Sequence, residues 1–598
     1  MPSPATCRIA SPDLGEEIAA QKSAIAAIEK RLWAGGLNEA LLEPYQAAFR
    51  QLEQLIAEQG NDDRHSFVIV IPVADRPQHL QSCLDSLLEL CRSFAYGGLR
   101  DGRYPKVAVI IADDTRDDGN VVRNKEIVRR FDASGIATTY FGIAEQIEFM
   151  DTLPATERAE LSRILGNAKP ETFSHKGHAI TRNIAYLWLN RQKQYGERAL
   201  FYTVDSDQEF KVKVSTAQGD KDVCALNFFH YLDEIFAQTD ALVLTGKVVG
   251  DPPVSPAVMA GNFLEDVIGF LREMAAGDPQ HACQHHVAGA HGGGDASYHD
   301  MADLFGFKPA SEAFRYRCIL TGDHANADCF GHFSHRLNSF FYGEHPTRVS
   351  YYRHDEVLRT VQPARTVYVG NYIFRPEGLR YFIPFAPLRL RMSGPVLGRL
   401  LKAEIGDRFV CANLPMLHKR TVSDSGQSEF RPGINAGARA IELCDEFERQ
   451  FHGDVMLFSI ERLTALGMPQ RELPADVVSA TLASVQAQMQ EKYAARRRDI
   501  VDKLGVLNSI LRDPAQWWNR SAQYAAAVDN LATFAANVEH NFGADSPCYD
   551  LIDAAANWQA WQARLLAAIT HYAADGRSWG EALAVARPTH PGRHEYAS

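Results

Sequence analysis

The chain has 598 residues, of which 46% are hydrophobic and 23% are charged, and its formal net charge is -12. This length predicts two or three domains, and the composition is that of a globular protein. The modest negative charge argues against general binding to nucleic acid or anionic lipid, although local basic patches remain open. No stretch reaches the ~18 continuous apolar residues of a membrane helix, so we expect no transmembrane segment.

The first ten residues and the spacing of the cysteines bear on where the protein is located. The first ten residues have neither the apolar core nor the charge order of a secretory signal. The ten cysteines are scattered and form no CxxC pair, which favours free thiols over a disulfide framework. These features predict a cytoplasmic protein.

Two helical stripes precede the first predicted strand. They are separated by Gly35-Gly36 and consist of Ile18, Ile25, Ile28 and Leu32, then Leu42, Tyr45, Phe49, Leu52 and Ile56. Apolar residues at this spacing predict an N-terminal helical hairpin over residues 1–61.

Strands and helices then alternate. Short β-branched runs predict buried strands at 66–73, 106–112, 137–141 and 199–204, with helical patterns between them. A strand-like pattern returns at 366–374, and a helix is predicted over 395–405. Such alternation predicts an α/β domain with a mainly parallel sheet. We place this domain at 62–435, with an insertion at about 251–345, and expect an all-α domain at 436–598.

Acidic residues follow three of the predicted strands. Asp75 comes after the first, Asp113-Asp114 end the second, and Asp205-Ser206-Asp207 follow the fourth. Parallel sheets bind ligands beyond the carboxyl ends of their strands, so we expect one site there.

Asp205 and Asp207 are candidate metal ligands and catalytic residues. Two carboxylates two residues apart can share Mg²⁺ or Mn²⁺, which can bridge to a diphosphate and neutralise charge on a departing nucleotide diphosphate. Alone, the same triplet also fits a solvated turn.

The order of the motifs adds a family resemblance. The segments VIVIPVADRPQHLQSCLDSLL, VAVIIADDTRDDGN, KGHAITRNIAYLWL and ALFYTVDSD resemble those of family 2-like glycosyltransferases of the GT-A fold. The resemblance is clear over about residues 66–210 and fainter over 366–421. It implies a GT-A fold and hexosyl transfer from a nucleotide-diphosphate donor to an acceptor, which stays unidentified. The matching positions are Pro72, Asp113, Asp114, Arg182, Asn183, Asp205 and Asp207.

Several of these residues are expected to bind the donor. Asp113 and Asp114 should face the nucleoside. Lys176 and Arg182, at a predicted helix N-terminus, should face the phosphates, because backbone N–H groups and the helix dipole favour an anion there. An ordinary capped helix with exposed charges is the alternative. Pro72, Asp75, Asn183 and Asp205 complete the predicted donor-binding set.

His418 is the candidate third metal ligand. It follows a strand-like segment and resembles the late histidine that completes metal coordination in several GT-A enzymes. A neutral imidazole suits a metal held by two carboxylates, although a surface-loop histidine would show the same pattern.

The catalytic base and the acceptor side are less defined. Where the family carries an acidic pair, this chain has Arg391 to Arg399 without one. If the reaction inverts configuration, Asp323 or Glu344 is the candidate base. Gly370-Asn371 and the region 322–335 are candidates for the acceptor side. In that region Cys329, His332 and His335 have zinc-like spacing but no second ligand pair, so acceptor binding or a loop over the donor is preferred.

Two other functions stay open. A sugar nucleotidyltransferase is disfavoured because the turn 73–77 lacks glycine, and no Walker-type loop is present. A non-catalytic saccharide- or nucleotide-sugar-binding scaffold is the other alternative. The Gly- and His-rich stretch 281–300 predicts a mobile loop, and the helical regions offer surfaces for a homo-oligomer.

Overall fold

The computed structural model describes residues 12–167, 173–192, 195–196, 198–216, 219–285, 316, 318–320, 322–367, 370–422, 429–437 and 440–585. Most of the predicted loop at 281–300 lies outside these residues.

Strands and helices are numbered here in chain order. The strands are β1 (Ser66–Val73), β2 (Val107–Asp113), β3 (Ala137–Phe141), β4 (Ala199–Val204), β5 (Gln208–Glu209), β6 (Val212–Thr216), β7 (Gly219–Val223), β8 (Val243–Gly250), β9 (Gln362–Pro363), β10 (Asn371–Phe374), β11 (Phe409–His418), β12 (Asn435–Ala436) and β13 (Ile441–Glu442). The α-helices are α1 (Pro12–Leu32), α2 (Leu42–Gln59), α3 (Pro77–Phe94), α4 (Asp118–Ala133), α5 (Ile143–Asp151), α6 (Ala155–Glu160), α7 (Ser162–Leu165), α8 (His178–Gln192), α9 (Phe228–Gln238), α10 (Pro256–Ala276), α11 (Asn326–Arg336), α12 (Ser393–Ile405), α13 (Cys444–Ala465), α14 (Ala475–Leu511), α15 (Ala525–Phe542), α16 (Pro547–Asp553) and α17 (Ala555–Ala584).

Nine of the described strands form one sheet. Its order is β3-β2-β1-β4-β10-β8-β11-β5, and β9 pairs with β11. β3, β2, β1 and β4 are mutually parallel, β10 is antiparallel to both neighbours, and β8 and β11 are parallel. The carboxyl ends of β1, β2, β4, β8 and β11 therefore meet at one edge.

Both faces of the sheet are buried. Along β1, Phe67, Ile69 and Ile71 pack in a core shared with α2, α3 and α9, whereas Val68 and Val70 pack in a second core. That second core continues through α8 and α10 into the C-terminal helices. A strand covered on both sides needs apolar residues at every position, which explains the continuous apolar run in β1.

The predicted fold class is confirmed: an α/β core with a mainly parallel sheet, an N-terminal helical hairpin and a helical C-terminal region. β1, β3 and β4 have the predicted bounds, and β2 lies one residue later. The strand predicted at 366–374 covers only Asn371–Phe374, because Gly370 bends the chain with a φ of +68°.

Seven described cysteines are free, as expected, and one pair departs from that expectation. Cys444 and Cys548 form a disulfide between the starts of α13 and α16. The partners are 104 residues apart in sequence, so no local spacing revealed the pair. No helix in the described part of the chain is long and apolar enough to cross a membrane.

Asn371 joins four strands at the centre of the sheet. Its fully buried amide donates to the carbonyls of Lys247 (2.7 Å) and Leu414 (3.0 Å) and accepts from the Tyr202 hydroxyl (2.9 Å). These bonds tie β10 to β8, β11 and β4 directly below the carboxyl edge.

We therefore predict that Asn371→Ala lowers the free energy of unfolding by about 2–4 kcal/mol, because it leaves buried carbonyl groups unpaired. The matched comparison is Tyr202→Phe, which removes one of the same hydrogen bonds and should cost about 1 kcal/mol. Chemical denaturation of both variants measures the difference. Equal stability of Asn371→Ala and the unaltered chain would refute this role.

Candidate functional site

The carboxylate of Asp207 lies at the carboxyl edge of the sheet, in the turn after β4, and its side chain is only 5% exposed. Its Oδ2 atom lies 2.8 Å from Nη1 of Arg431, 3.3 Å from Nη1 of Arg76 and 3.7 Å from Nη1 of Arg420. Burial raises the pKa of Asp207, but His418, Arg431 and Arg76 outweigh it and hold that pKa well below its usual range.

His418 ends β11 and faces the same carboxylate. Its Nδ1 atom lies 2.7 Å from the carbonyl oxygen of Asp251, so Nδ1 carries the proton and donates. Nε2 lies 3.6 Å from Asp207 Oδ2. Burial is the largest influence and lowers the pKa of His418, whereas the charge of Asp207 and its hydrogen bond to the ring oppose that effect. A backbone carbonyl that fixes the tautomer in this way is typical of metal-binding histidines.

Asp205 is held in a different direction. Its carboxylate pairs with Nη2 of Arg182 in α8, and its backbone N–H donates to Oε1 of Gln208 at 3.1 Å. Burial raises the pKa of Asp205, and Arg182 opposes that effect. Within the described part of the chain, the possible ligand atoms of Asp205, Asp207 and His418 do not all lie within 4.8 Å of one another. The structure thus brings the three predicted metal ligands to one edge without closing them into a single cluster.

The acidic residues predicted to contact the nucleoside have internal partners. Asp113 is 1% exposed and accepts from the Thr115 backbone (2.8 Å), the Asn124 amide (2.9 Å) and the Tyr140 hydroxyl (2.8 Å). Asp114 accepts from Lys176 Nζ at 2.7 Å. These bonds fix the strand ends, and the nucleoside role of both residues stays a prediction.

Asp75 has a similar structural role. Its carboxylate accepts from the backbone N–H groups of Arg116 and Asp117, each at 3.1 Å, and pairs with the ring of His175. It therefore links the turn after β1 to the turn after β2. Pro72 is buried inside β1, opposite Ala112 of β2.

The remaining predicted donor-binding residues are also buried. Lys176 is 3% exposed and forms an ion pair with Asp114, and Arg182 forms an ion pair with Asp205. Asn183 is fully buried: its amide donates to the carbonyls of Ile164 and Ile383 and accepts from the Ile383 N–H. Asn183 thus joins α8 to two neighbouring segments, and its predicted donor contact gains no support.

Three arginines form a basic cluster around Asp207: Arg76, Arg420 and Arg431. Burial, then the charge of Arg431, lowers the pKa of Arg76 to about 10 and that of Arg420 to about 9. Positive charges therefore crowd this edge beyond what Asp207 neutralises. Arg420 immediately follows Lys419 after β11, but Arg431 lies in a segment with no regular pattern.

The segment 429–431 covers this edge. The Phe430 ring stacks on His175 with centroids 4.3 Å apart, and its carbonyl accepts from Arg76 Nε at 2.8 Å. Glu429 accepts from the first backbone N–H groups of α3, those of Gln78 and His79. A narrow crevice beside Asp207, with a cavity volume of about 10 Å³, has room for roughly one water molecule and is lined in part by Ser206, Lys419 and Thr421.

The two candidate bases lie in different surroundings. Asp323 is exposed, and in the described part of the chain it forms no hydrogen bond or ion pair with Asp205 or Asp207. Glu344 is buried, pairs with Arg336 at 2.6 Å and accepts from Thr421 Oγ1 at 3.1 Å. Glu344 therefore lies next to Thr421, which directly follows Arg420 in the chain.

Asp251 is a further acidic residue that the sequence analysis missed. Its carboxylate accepts from the Arg420 N–H at 2.8 Å, and burial followed by the charge of Glu344 raises its pKa to about 7. Asp251 directly follows β8, which was not predicted from the sequence. Had β8 been predicted, the search for acidic residues after strands would have included Asp251.

The residues proposed for the acceptor side make structural contacts, and their acceptor role stays a prediction. Asn371 bonds within the sheet, as described above. Gly370 packs against Asp205: a Cβ there would lie 2.5 Å from the Asp205 backbone nitrogen. In the region 322–335, the Phe330 ring stacks on Trp518, which anchors α11 to the C-terminal region.

Comparison with known proteins gives only distant similarities. No protein-family model and no curated protein matches the chain. Among solved structures, the mannosyltransferase PcManGT from Pyrobaculum calidifontis, in complex with GDP-Man and Mn²⁺, is 11% identical, with a TM-score of 0.29 over 93% of this chain and 98% of its own. S. aureus TarS 1–349 is 11% identical, with a TM-score of 0.25 over 79% of this chain and 91% of its own. A longer S. aureus TarS structure is 13% identical, with a TM-score of 0.25 over 79% of this chain and 55% of its own. At these TM-scores the similarity does not identify the family of this chain.

The contact between Gly370 and Asp205 generates a prediction with an internal control. Gly98 has a φ of +72°, close to the +68° of Gly370, but a Cβ there would meet nothing within 4 Å. Gly98→Ala should therefore cost about 1 kcal/mol of unfolding free energy from backbone strain alone. Gly370→Ala should cost at least about twice as much, because the added methyl group also displaces Asp205. Denaturation curves measure both, and equal losses would show that Gly370 does not constrain Asp205.

Proposed function

We propose that this chain is a metal-dependent glycosyltransferase that moves a hexosyl group from a nucleotide-diphosphate donor to an acceptor. The observation that carries the proposal is the pairing of Asp205 and Asp207 with four arginines at the carboxyl edge of the sheet. The ordered motifs that resemble GT-A glycosyltransferases support the same function.

The charges at this edge suit a diphosphate. Arg76, Arg182, Arg420 and Arg431 carry four positive charges, whereas Asp205, Asp207 and the neighbouring Glu429 carry three negative ones. Burial and then the charge of Arg431 lower the pKa values of Arg76 and Arg420. A bound diphosphate would relieve the repulsion among these arginines. Planar guanidinium groups also match phosphate oxygens in geometry.

The predicted ligands fit Mg²⁺ or Mn²⁺. Two carboxylates and one neutral imidazole are a donor set that Mn²⁺ accepts readily, and His418 already presents Nε2 toward Asp207. For all three residues to bind one cation, Asp205 has to leave Arg182, and Asp207 has to exchange its arginine partners. When bound, the cation would neutralise charge on the departing diphosphate. Arg76 and Arg431 would then be released toward the phosphate oxygens.

The transfer breaks the bond between the anomeric carbon and the diphosphate oxygen and forms a bond to an acceptor oxygen. An inverting reaction requires a carboxylate to take the proton of the acceptor hydroxyl. Glu344 is the better placed of the two predicted bases, since it reaches Thr421 beside the basic cluster whereas Asp323 is exposed. A retaining reaction would need no such base.

The first test is a thermal-shift screen against UDP, GDP, dTDP, CMP and ADP, each with and without Mn²⁺. We expect one nucleotide to stabilise the protein only with Mn²⁺, and Asp207→Asn to abolish that shift and to lower hydrolysis of the matching donor by about 100-fold. Asp240→Asn is the matched control, because Asp240 is exposed and follows α9.

Each other outcome assigns a different function. Stabilisation by nucleotide and sugar without donor turnover would favour the binding scaffold. Turnover of a nucleoside triphosphate with a sugar phosphate would favour the nucleotidyltransferase. The absence of any nucleotide effect would refute the proposed donor site.

A second prediction concerns Arg431. Arg431→Ala should weaken binding of the nucleoside diphosphate about 10-fold, because one charge-assisted pair with phosphate is lost, and Arg431→Lys should recover part of that loss. Binding of the free nucleoside, measured by calorimetry, should not change. Arg408→Ala, an exposed arginine at the amino end of β11, serves as the control. Equal weakening of nucleoside and diphosphate would mean that Arg431 acts on folding and not on phosphate.

A further inference from the structure

Four possible metal ligands meet away from the site described above: Cys283, Cys318, His324 and Cys329. Their ligand atoms all lie within 4.8 Å of one another. Cys329 Sγ is 3.2 Å from Cys283 Sγ and 3.4 Å from Cys318 Sγ, and Cys318 Sγ is 3.2 Å from His324 Nε2. Cys318 and Cys329 are buried.

We propose that these four residues bind one Zn²⁺ ion as a structural site. Zinc prefers thiolate and imidazole ligands in a tetrahedron, and three cysteines with one histidine are a closed set for a structural ion. Ligands about 2.0–2.3 Å from zinc lie roughly 3.5–3.8 Å from one another, so the sulfur and nitrogen atoms here would have to move apart by roughly half an ångström or less to hold the ion. The site is independent of the proposed transfer reaction.

The histidine is oriented for coordination. Nδ1 of His324 lies 2.8 Å from the Gly322 carbonyl oxygen, so it donates there and leaves the Nε2 lone pair toward Cys318. This is the arrangement by which an outer hydrogen bond fixes the tautomer of a metal-binding histidine.

The backbone holds the sulfur atoms in place as well. The Cys283 N–H donates to the His324 carbonyl at 2.9 Å, and the His285 N–H donates to Cys283 Sγ at 3.4 Å. N–H groups aimed at sulfur stabilise the negative charge that a bound thiolate carries.

A disulfide does not account for this cluster. Two bonded sulfur atoms would lie about 2.0 Å apart, and any pair would leave the third thiol beside it. The cluster also departs from the spacing noted in the sequence. Cys329 is a member, but His324 and two distant cysteines complete the set in place of His332 and His335, which share α11 with Cys329.

A zinc ion here would fasten α11 to the chain around Cys283. Ala282 and Ala325 already form an isolated antiparallel bridge beside the ligands. One turn further along α11, Phe330 stacks on Trp518 with centroids 5.1 Å apart. The site would thus stabilise the contact between the inserted region and the C-terminal helices.

The test is the zinc content of the full-length protein, purified under reducing conditions without chelator and measured by elemental analysis. We expect about one zinc ion per chain, falling below about 0.2 in Cys329→Ser and in His324→Asn. Cys411→Ser removes a free, half-buried thiol in β11 and should keep the full content. Asp207→Asn should also keep it, which separates this ion from any metal at the donor site.

A measurement on the unaltered chain guards against variants that fail to fold. After removal of the metal, Co²⁺ should bind with the absorption of a tetrahedral thiolate complex, and one equivalent of Zn²⁺ should abolish it. Protein that contains no zinc and gives no such Co²⁺ spectrum would overturn the proposal. Zinc that persists in both Cys329→Ser and His324→Asn would overturn it as well.

Discussion

The burial of one carboxylate, that of Asp207, dictates how the functional edge of this protein is built. An unpaired buried charge costs several kcal/mol, so Asp207 needs cationic partners from several parts of the chain. Arg76 comes from the turn after β1, His418 and Arg420 come from the end of β11, and Arg431 comes from the segment beyond. The pairing draws these segments over the sheet edge and leaves the arginines in excess.

Because arginines are in excess at this edge, the carboxylates and the arginines can exchange their partners for a bound ligand. Asp207 is neutralised by arginines that suit phosphate equally well, and Asp205 is held by Arg182 until another cation competes. A donor that arrives with a divalent ion would supply both partners at once: the ion for the carboxylates and the diphosphate for the arginines. Entry of either alone would leave buried charges unpaired, so binding of metal and donor should be cooperative.

Local sequence patterns predicted the strands that position this site, but only some of the residues that form it. Continuous β-branched runs located β1 and β4, and the rule for parallel sheets placed Asp205 and Asp207 at their edge. Arg431 was missed because it reaches Asp207 from 224 positions away, outside any regular element. The partners of Cys329 in the proposed zinc site and the Cys444–Cys548 disulfide were missed for the same reason, because tertiary packing creates these contacts and no sequence spacing records them. Asn183 fits the motif but has hydrogen-bond partners inside the fold, and its contact with the donor stays a prediction.

The C-terminal helices help to hold the charged edge of the sheet, although none carries a predicted site residue. The close packing of α13 at Gly453, where a Cβ would lie 2.7 Å from the Arg391 carbonyl oxygen, fixes the loop before α12. Arg449 of the same helix donates to the carbonyls of Arg389 (2.7 Å) and Pro432 (3.0 Å), the latter next to Arg431. The helix therefore holds the backbone that presents Arg431 to Asp207. Because the apolar core continues from the sheet into these helices, their removal would both expose that core and release the cationic segment, so the charge balance at the edge depends on these helices as well.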